Sequence, residues 1–147
     1  MSIPAVVLDA SVAAAWLLPD QASEASRSVY VRSRRGSLEL HAPELWLWEC
    51  GNIVAGAVRR QRLGADDALL TWSVLDAIRV RVEFTAPAPA QARAALVLGL
   101  DLGLSLYDAV YLWLAKSLRL PLLTIDAAMA KAARSADVTV VDMAALA

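Results

Sequence analysis

The stretch IPAVVLDASVAAAW, Ile3 to Trp16, is an apolar run that stops at Asp9 and passes straight into small, helix-forming residues. LRLPLLTIDAAMAKAA, Leu118 to Ala133, repeats the pattern and stops at Asp126. A short unbroken apolar run suits a strand covered on both faces, and a helix directly after it suits a parallel crossover. The same alternation runs along the chain. Strands are expected at residues 5–8, 38–42, 82–85, 122–125 and 138–141. Helices are expected at 11–18, 23–35, 43–62, 66–80, from Pro87 and Pro89 to Leu100, at 106–118 and at 127–135. Gly36 is placed to end the second helix and Asp66 to cap the fourth. With 147 residues and no repeat or linker, the chain reads as a single domain over residues 1–147. The fold class is α/β: a three-layer α/β/α sandwich around a central, five-stranded, mostly parallel sheet.

Bulk composition narrows the functional classes. Hydrophobic residues make up 59% of the chain, which calls for a fully covered sheet, an oligomer interface, or both. The most apolar segment, Ala94 to Ala115, is interrupted by Asp101 and Asp108 and contains Gly99 and Gly103. It does not form the roughly 20-residue apolar run that a membrane span requires. The lone Cys50 excludes an internal disulfide framework and a cysteine-based zinc site. With no basic, signal-like N-terminal region, the expected location is the cytoplasm. A net charge of −1 gives no global field favouring nucleic acid.

In an open parallel sheet, ligands sit beyond the carboxyl ends of the strands, where the strand order reverses. Asp9 and Asp126 each end an apolar strand, so neighbouring strands would bring them face to face. Each is also a good helix N-cap. Glu49, in PELWLWECGNIVAGAVRR, shares its helix face with Leu45, Trp46, Asn52 and Ile53, so it is directed inward and needs a partner. Asp108, in LSLYDAVYLWLAKSL, opens a helix that is apolar nearly all round, and Ser105 stands ready to cap it. Converging carboxylates repel one another. A hard divalent cation, Mg²⁺ or Mn²⁺, makes the cluster tolerable, prefers oxygen ligands and suits phosphodiester chemistry. Ser11, Asn52 and Thr124 are hydrogen-bonding neighbours of these acids, suited to hold them or to meet a phosphate. Each also suits an ordinary cap or turn.

Four blocks, VLDASVAAAWLLPD, PELWLWECGNIV, LSLYDAVYLWLAKSLRLPLLTID and AAMAKAA, together resemble the PIN-domain ribonucleases, and more narrowly the VapC-type toxins of type II toxin–antitoxin pairs. The resemblance covers nearly the whole chain in the family's order. It implies a metal-dependent endoribonuclease with Asp9, Glu49, Asp108 and Asp126 as catalytic and metal-binding acids, and with Ser11, Asn52 and Thr124 beside them. It further implies a homodimer, a cognate antitoxin that holds the enzyme inactive, and structured RNA such as tRNA as substrate. Setting the four acids aside leaves eleven acidic residues against fourteen basic ones. Of the arginine clusters, Arg59, Arg60 and Arg62 are the preferred RNA contacts, because they extend the helix that carries Glu49.

His41, the only histidine, reads as a core or edge residue rather than a catalytic base, and Cys50 as inert packing. Asp142 reads as a cap. Trp46 and Trp48 cannot share one helix face, so one of them is free to meet a partner. A phospho-receiver domain would want paired acids after strand 1 and a strand-end lysine. A haloacid-dehalogenase-type phosphatase would want Asp-x-Asp, where this chain has Ser11. The remaining rival is a non-catalytic module that holds RNA or protein in the same groove.

Overall fold

The computed structural model describes residues 3–83 and 89–147. The strands are β1 (Ala5–Leu8), β2 (Glu39–Pro43), β3 (Val80–Glu83), β4 (Leu122–Leu123) and β5 (Val140–Val141). The helices are α1 (Ala10–Leu17), α2 (Glu24–Arg34), α3 (Leu45–Arg59), α4 (Ala65–Ala77), α5 (Pro89–Leu102), α6 (Leu106–Leu118) and α7 (Ala127–Ser135). One-turn 3₁₀ helices follow at Pro19–Gln21 and Met143–Leu146. The sheet order is β3-β2-β1-β4-β5, and every pairing is parallel. Successive connections therefore run outward from β1 to β3, then cross back to β4 and β5. Right-handed crossovers in opposite directions put their helices on opposite faces. Helix α6 packs across β1, β2 and β4 with α5 against it, while α1 packs with α2, α3 and α4. This is the expected α/β/α sandwich.

The sheet is buried because both faces are covered. Val6, Val7, Leu8, Leu40, Leu122 and Leu123 are all fully inaccessible and form the centre of the core. The edge strand β3 instead carries Arg81 and Glu83, charges that discourage pairing with another chain. Its side chains join β2 through Arg81–Glu39 at 3.1 Å and His41–Glu83 at 2.9 Å. No single helix among the described residues is long and apolar enough to cross a membrane.

Several boundaries differ from expectation. Strand β3 begins two residues early, because Val80 pairs beside Leu40. The rest of its expected span, residues 84–85, lies outside the described residues, as do residues 86–88 of the Pro-rich loop. Strands β4 and β5 each pair over two residues, since the chain after Leu123 turns to cap α7 and Ile125 is exposed. Gly64, not Asp66, caps α4, and Asp66 lies in its first turn with Asp67. Helix α2 has a reciprocal cap in which Ser23 and Ser26 each bond the other's backbone N–H at 3.0 Å. Ser23→Ala is expected to lower stability by about 1 kcal/mol, a fall of roughly 2–4 °C in melting temperature measured by circular dichroism.

Candidate active site

Strands β1 and β4 are neighbours, with β2 continuing one way and β5 the other. Their carboxyl ends therefore form the switch point at which a ligand crevice opens. Each acid singled out above lies at this edge of the sheet by topology. Asp9 directly follows β1, and Asp126 lies three residues after the end of β4. Glu49 lies in the second turn of α3, which leaves β2. Asp108 lies in the first turn of α6, which descends towards the start of β4.

Asp9 is the best defined. Its backbone N–H donates to Leu123 O at 3.0 Å, fixing it across the β1–β4 gap. It occupies the N-cap position of α1 but makes no side-chain cap bond. Instead the hydroxyls of Ser11 (2.6 Å) and Thr124 (2.8 Å) both donate to its Oδ2. Ser11 Oγ also accepts from Ile125 N at 3.1 Å, and Thr124 Oγ1 accepts from Asp126 N at 3.0 Å. The two strand ends are thus stitched through Asp9. Only 7% of the residue is exposed. Burial raises its pKa above the ordinary carboxylate range, and the hydroxyls of Ser11 and Thr124 offset part of that rise.

Glu49 is half-buried and accepts a hydrogen bond from the Tyr111 hydroxyl. Its pKa is also raised, first by burial and then by the nearby negative charges of Asp9 and Asp108, while the Tyr111 bond opposes the rise. Glu49 therefore lies within the electrostatic reach of two of the other three acids. Among the described residues, no Lys, Arg or His lies within ion-pair distance of any of the four. The cation that an inward Glu49 calls for is not found among the described residues; a phenol meets it instead. Tyr111 was not singled out from the sequence. The signal was there, because it lies three residues after Asp108 on one helix face.

Asp108 is half-buried, and Ser105 caps the helix for it, accepting from Asp108 N at 3.1 Å and donating to Asp108 Oδ2 at 2.8 Å. The first turn of α6 is not internal as its composition implies: Leu106 and Tyr107 are exposed at the rim. Asp126 is exposed and does cap its helix, its Oδ1 accepting from Met129 N at 2.8 Å. Asn caps a helix as well as Asp does, whereas Ala does not. Asp126→Asn is therefore expected to leave the melting temperature within about 1–2 °C, and Asp126→Ala to lower it by roughly 2–4 °C. A loss of RNA cleavage in the Asn variant then reports the charge alone.

The other nominated residues are less central. Asn52 is exposed and makes no side-chain hydrogen bond among the described residues. Arg59 lies ten residues beyond Glu49 on α3, roughly 15 Å along the helix axis. Arg59 and Arg60 lie back over Gly56, and Arg62 is committed to Asp20 at 2.6 Å. Closer to the acids, Arg134 shares a small concavity with Thr124, Asp126 and Asp142. His41 is buried between Glu39 and Glu83 on the β2–β3 edge, away from the switch point. Cys50 is buried and its thiol is pushed up to about 12, chiefly by burial, so it is no nucleophile. Asp142 caps the final turn, accepting from Ala144 N at 2.9 Å. Trp46 is buried, whereas Trp48 is 70% exposed.

The PIN domain family model matches residues 6–135, which spans all four acids. This chain belongs to the PIN domain family. PIN domains are generally nucleases that bind RNA and use divalent metal ions. Among solved structures, the crystal structure of PAE2754 from Pyrobaculum aerophilum superposes with a TM-score of 0.68 at 24% identity. The match covers 97% of this chain and 94% of that one, and it bears on the fold. No curated protein matches significantly.

The donor set of this PIN domain fits a hard divalent cation. It is all oxygen, it includes one carboxylate buried without a cation, and two of its members repel a third. Among the described residues, no three acidic, histidine or cysteine side chains already stand in ion-holding arrangement.

Proposed function

We propose that this PIN domain is an endoribonuclease that hydrolyses RNA phosphodiester bonds with the help of Mg²⁺ or Mn²⁺. The observation that carries the reading is Asp9: a buried carboxylate at the switch point, held by two hydroxyls, unpaired with any cation among the described residues, and close enough to Glu49 to raise that residue's pKa. Asp9, Glu49 and Asp108 would hold the cation, with Asp126 at the rim. Once bound, the cation would supply Lewis-acid polarisation of a phosphate oxygen and a more acidic water. The chain's own residues do the rest. Ser11 and Thr124 orient Asp9 by occupying Oδ2, which leaves Oδ1 without a side-chain donor. Ser105 orients Asp108. Arg134, which lines the same concavity as Asp126, offers a positive charge for a neighbouring phosphate. Arg59, Arg60 and Arg62 are left out, because they lie a helix length from the acids.

The resemblance of four sequence blocks to VapC-type toxins supports a narrower reading: the toxin of a toxin–antitoxin pair, cytoplasmic, homodimeric, restrained by a cognate antitoxin and cutting structured RNA such as tRNA. Purified protein incubated with tRNA tests the chemistry. Cleavage in Mg²⁺ or Mn²⁺ that stops in EDTA supports the enzyme. Binding without cleavage in either metal supports a non-catalytic module instead. Growth arrest on expression, relieved by Asp9→Asn, tests the toxin role; arrest that persists in the variant would overturn it.

A further inference from the structure

We propose that Tyr111 is a positioning residue of this crevice, its hydroxyl holding the Glu49 carboxylate in the orientation that divalent-cation binding requires. The proposal rests on Glu49 being a ligand of the cation. Tyr111 is fully buried, at 0% exposure, in the core beneath α6, so its ring axis is fixed. Its hydroxyl donates to Glu49 Oε2 across 62 positions of sequence. Glu49 is otherwise poorly restrained. It is half-exposed on a long side chain, and the charges of Asp9 and Asp108 are unfavourable to its ionised form. No other donor meets it among the described residues. A phenol bound to one oxygen leaves the second available to a metal.

A buried tyrosine needs only an acceptor for its hydroxyl. The half-buried Tyr30 meets that need with a backbone carbonyl, Val74 O, at 3.0 Å. Tyr111 instead bonds a carboxylate that neighbouring charges repel, which is the arrangement expected of an outer partner to a metal ligand. Asp108 and Tyr111 lie three residues apart on α6, so one face of that helix supplies both an acid and the group that restrains another acid. Tyr111 touches neither substrate nor cation and acts through Glu49.

The test is Mn²⁺ binding to the purified full chain, followed by the loss of the free-ion electron paramagnetic resonance signal. Tyr111→Phe, which keeps the ring, is expected to weaken Mn²⁺ binding about tenfold or more. In a Glu49→Gln background the same substitution is expected to change nothing further. A purely structural role would lower affinity equally in both backgrounds, and that outcome overturns the proposal, as does wild-type affinity in Tyr111→Phe. The chain has three tyrosines, so ¹³Cζ-labelled tyrosine gives three resonances. These are assignable through Tyr30→Phe and Tyr107→Phe even if Tyr111→Phe does not fold. Mg²⁺ is expected to shift the Tyr111 resonance in wild type but not in Glu49→Gln. An unmoved Tyr111 resonance at saturating Mg²⁺ counts against the proposal. Failure of the underlying reading looks different: Mn²⁺ binding would then be absent from wild type or unaffected by Asp9→Asn.

Discussion

Asp9→Asn is expected to lower metal-dependent RNA cleavage by about 10²–10³-fold while making the metal-free protein more stable. A cation held in the right place contributes several kcal/mol to the transition state, and losing about 3–4 kcal/mol of it corresponds to that range. The amide keeps the shape of the side chain and can still accept from Ser11 and Thr124, so the loss reports charge rather than folding. The stability gain has the opposite origin. Burial raises the Asp9 pKa, so in the absence of metal the fold favours its protonated form. Such a group contributes stability that is fully present below its unfolded value, about 4, and is lost as pH rises through the raised folded value. Glu49 has the same sign for the same first cause, burial. The melting-temperature advantage of Asp9→Asn over wild type in EDTA should therefore be larger at pH 8 than at pH 4. Thermal denaturation at the two pH values measures it; an advantage that is flat or larger at low pH would show that the buried carboxylate is not the source.

Adding Mn²⁺ to wild type is expected to reverse that deficit. A ligand that binds only the folded chain, at about 100 times its dissociation constant, stabilises it by about 2.7 kcal/mol. For a domain of this size that is a rise of roughly 5–11 °C in melting temperature. The rise should nearly vanish in Asp9→Asn and shrink as pH falls towards the carboxylate range, where protons compete with the ion. Differential scanning fluorimetry with Mn²⁺, and with Na⁺ at matched ionic strength, separates specific binding from screening. An equal rise with Na⁺ would sink the crevice as a cation site.

Much of this was legible in the order of residues. Apolar runs ending on Asp9 and Asp126 announced parallel strands with acids at their carboxyl ends, and β1 and α6 begin and end where the pattern puts them. Expectation and structure part where local chemistry is ambiguous. Asp9 and Asp126 look alike in sequence, yet one bonds two hydroxyls, one on α1 and one just past β4, while the other caps a helix. Arg62 extends the Glu49 helix in sequence, but its partner is Asp20, 42 positions away. His41 has no partner by spacing and finds Glu83 across the β2–β3 ladder.

Local patterning alone determined the layered α/β fold and marked out the four candidate acids, because burial on both sheet faces and the helical period are written into runs of a few residues. Only the tertiary structure decided which acids lie near Glu49, which serves as a cap, and that a tyrosine meets Glu49. Those outcomes depend on strand order and on contacts between residues 62 to 115 positions apart, distances over which sequence spacing carries no geometry.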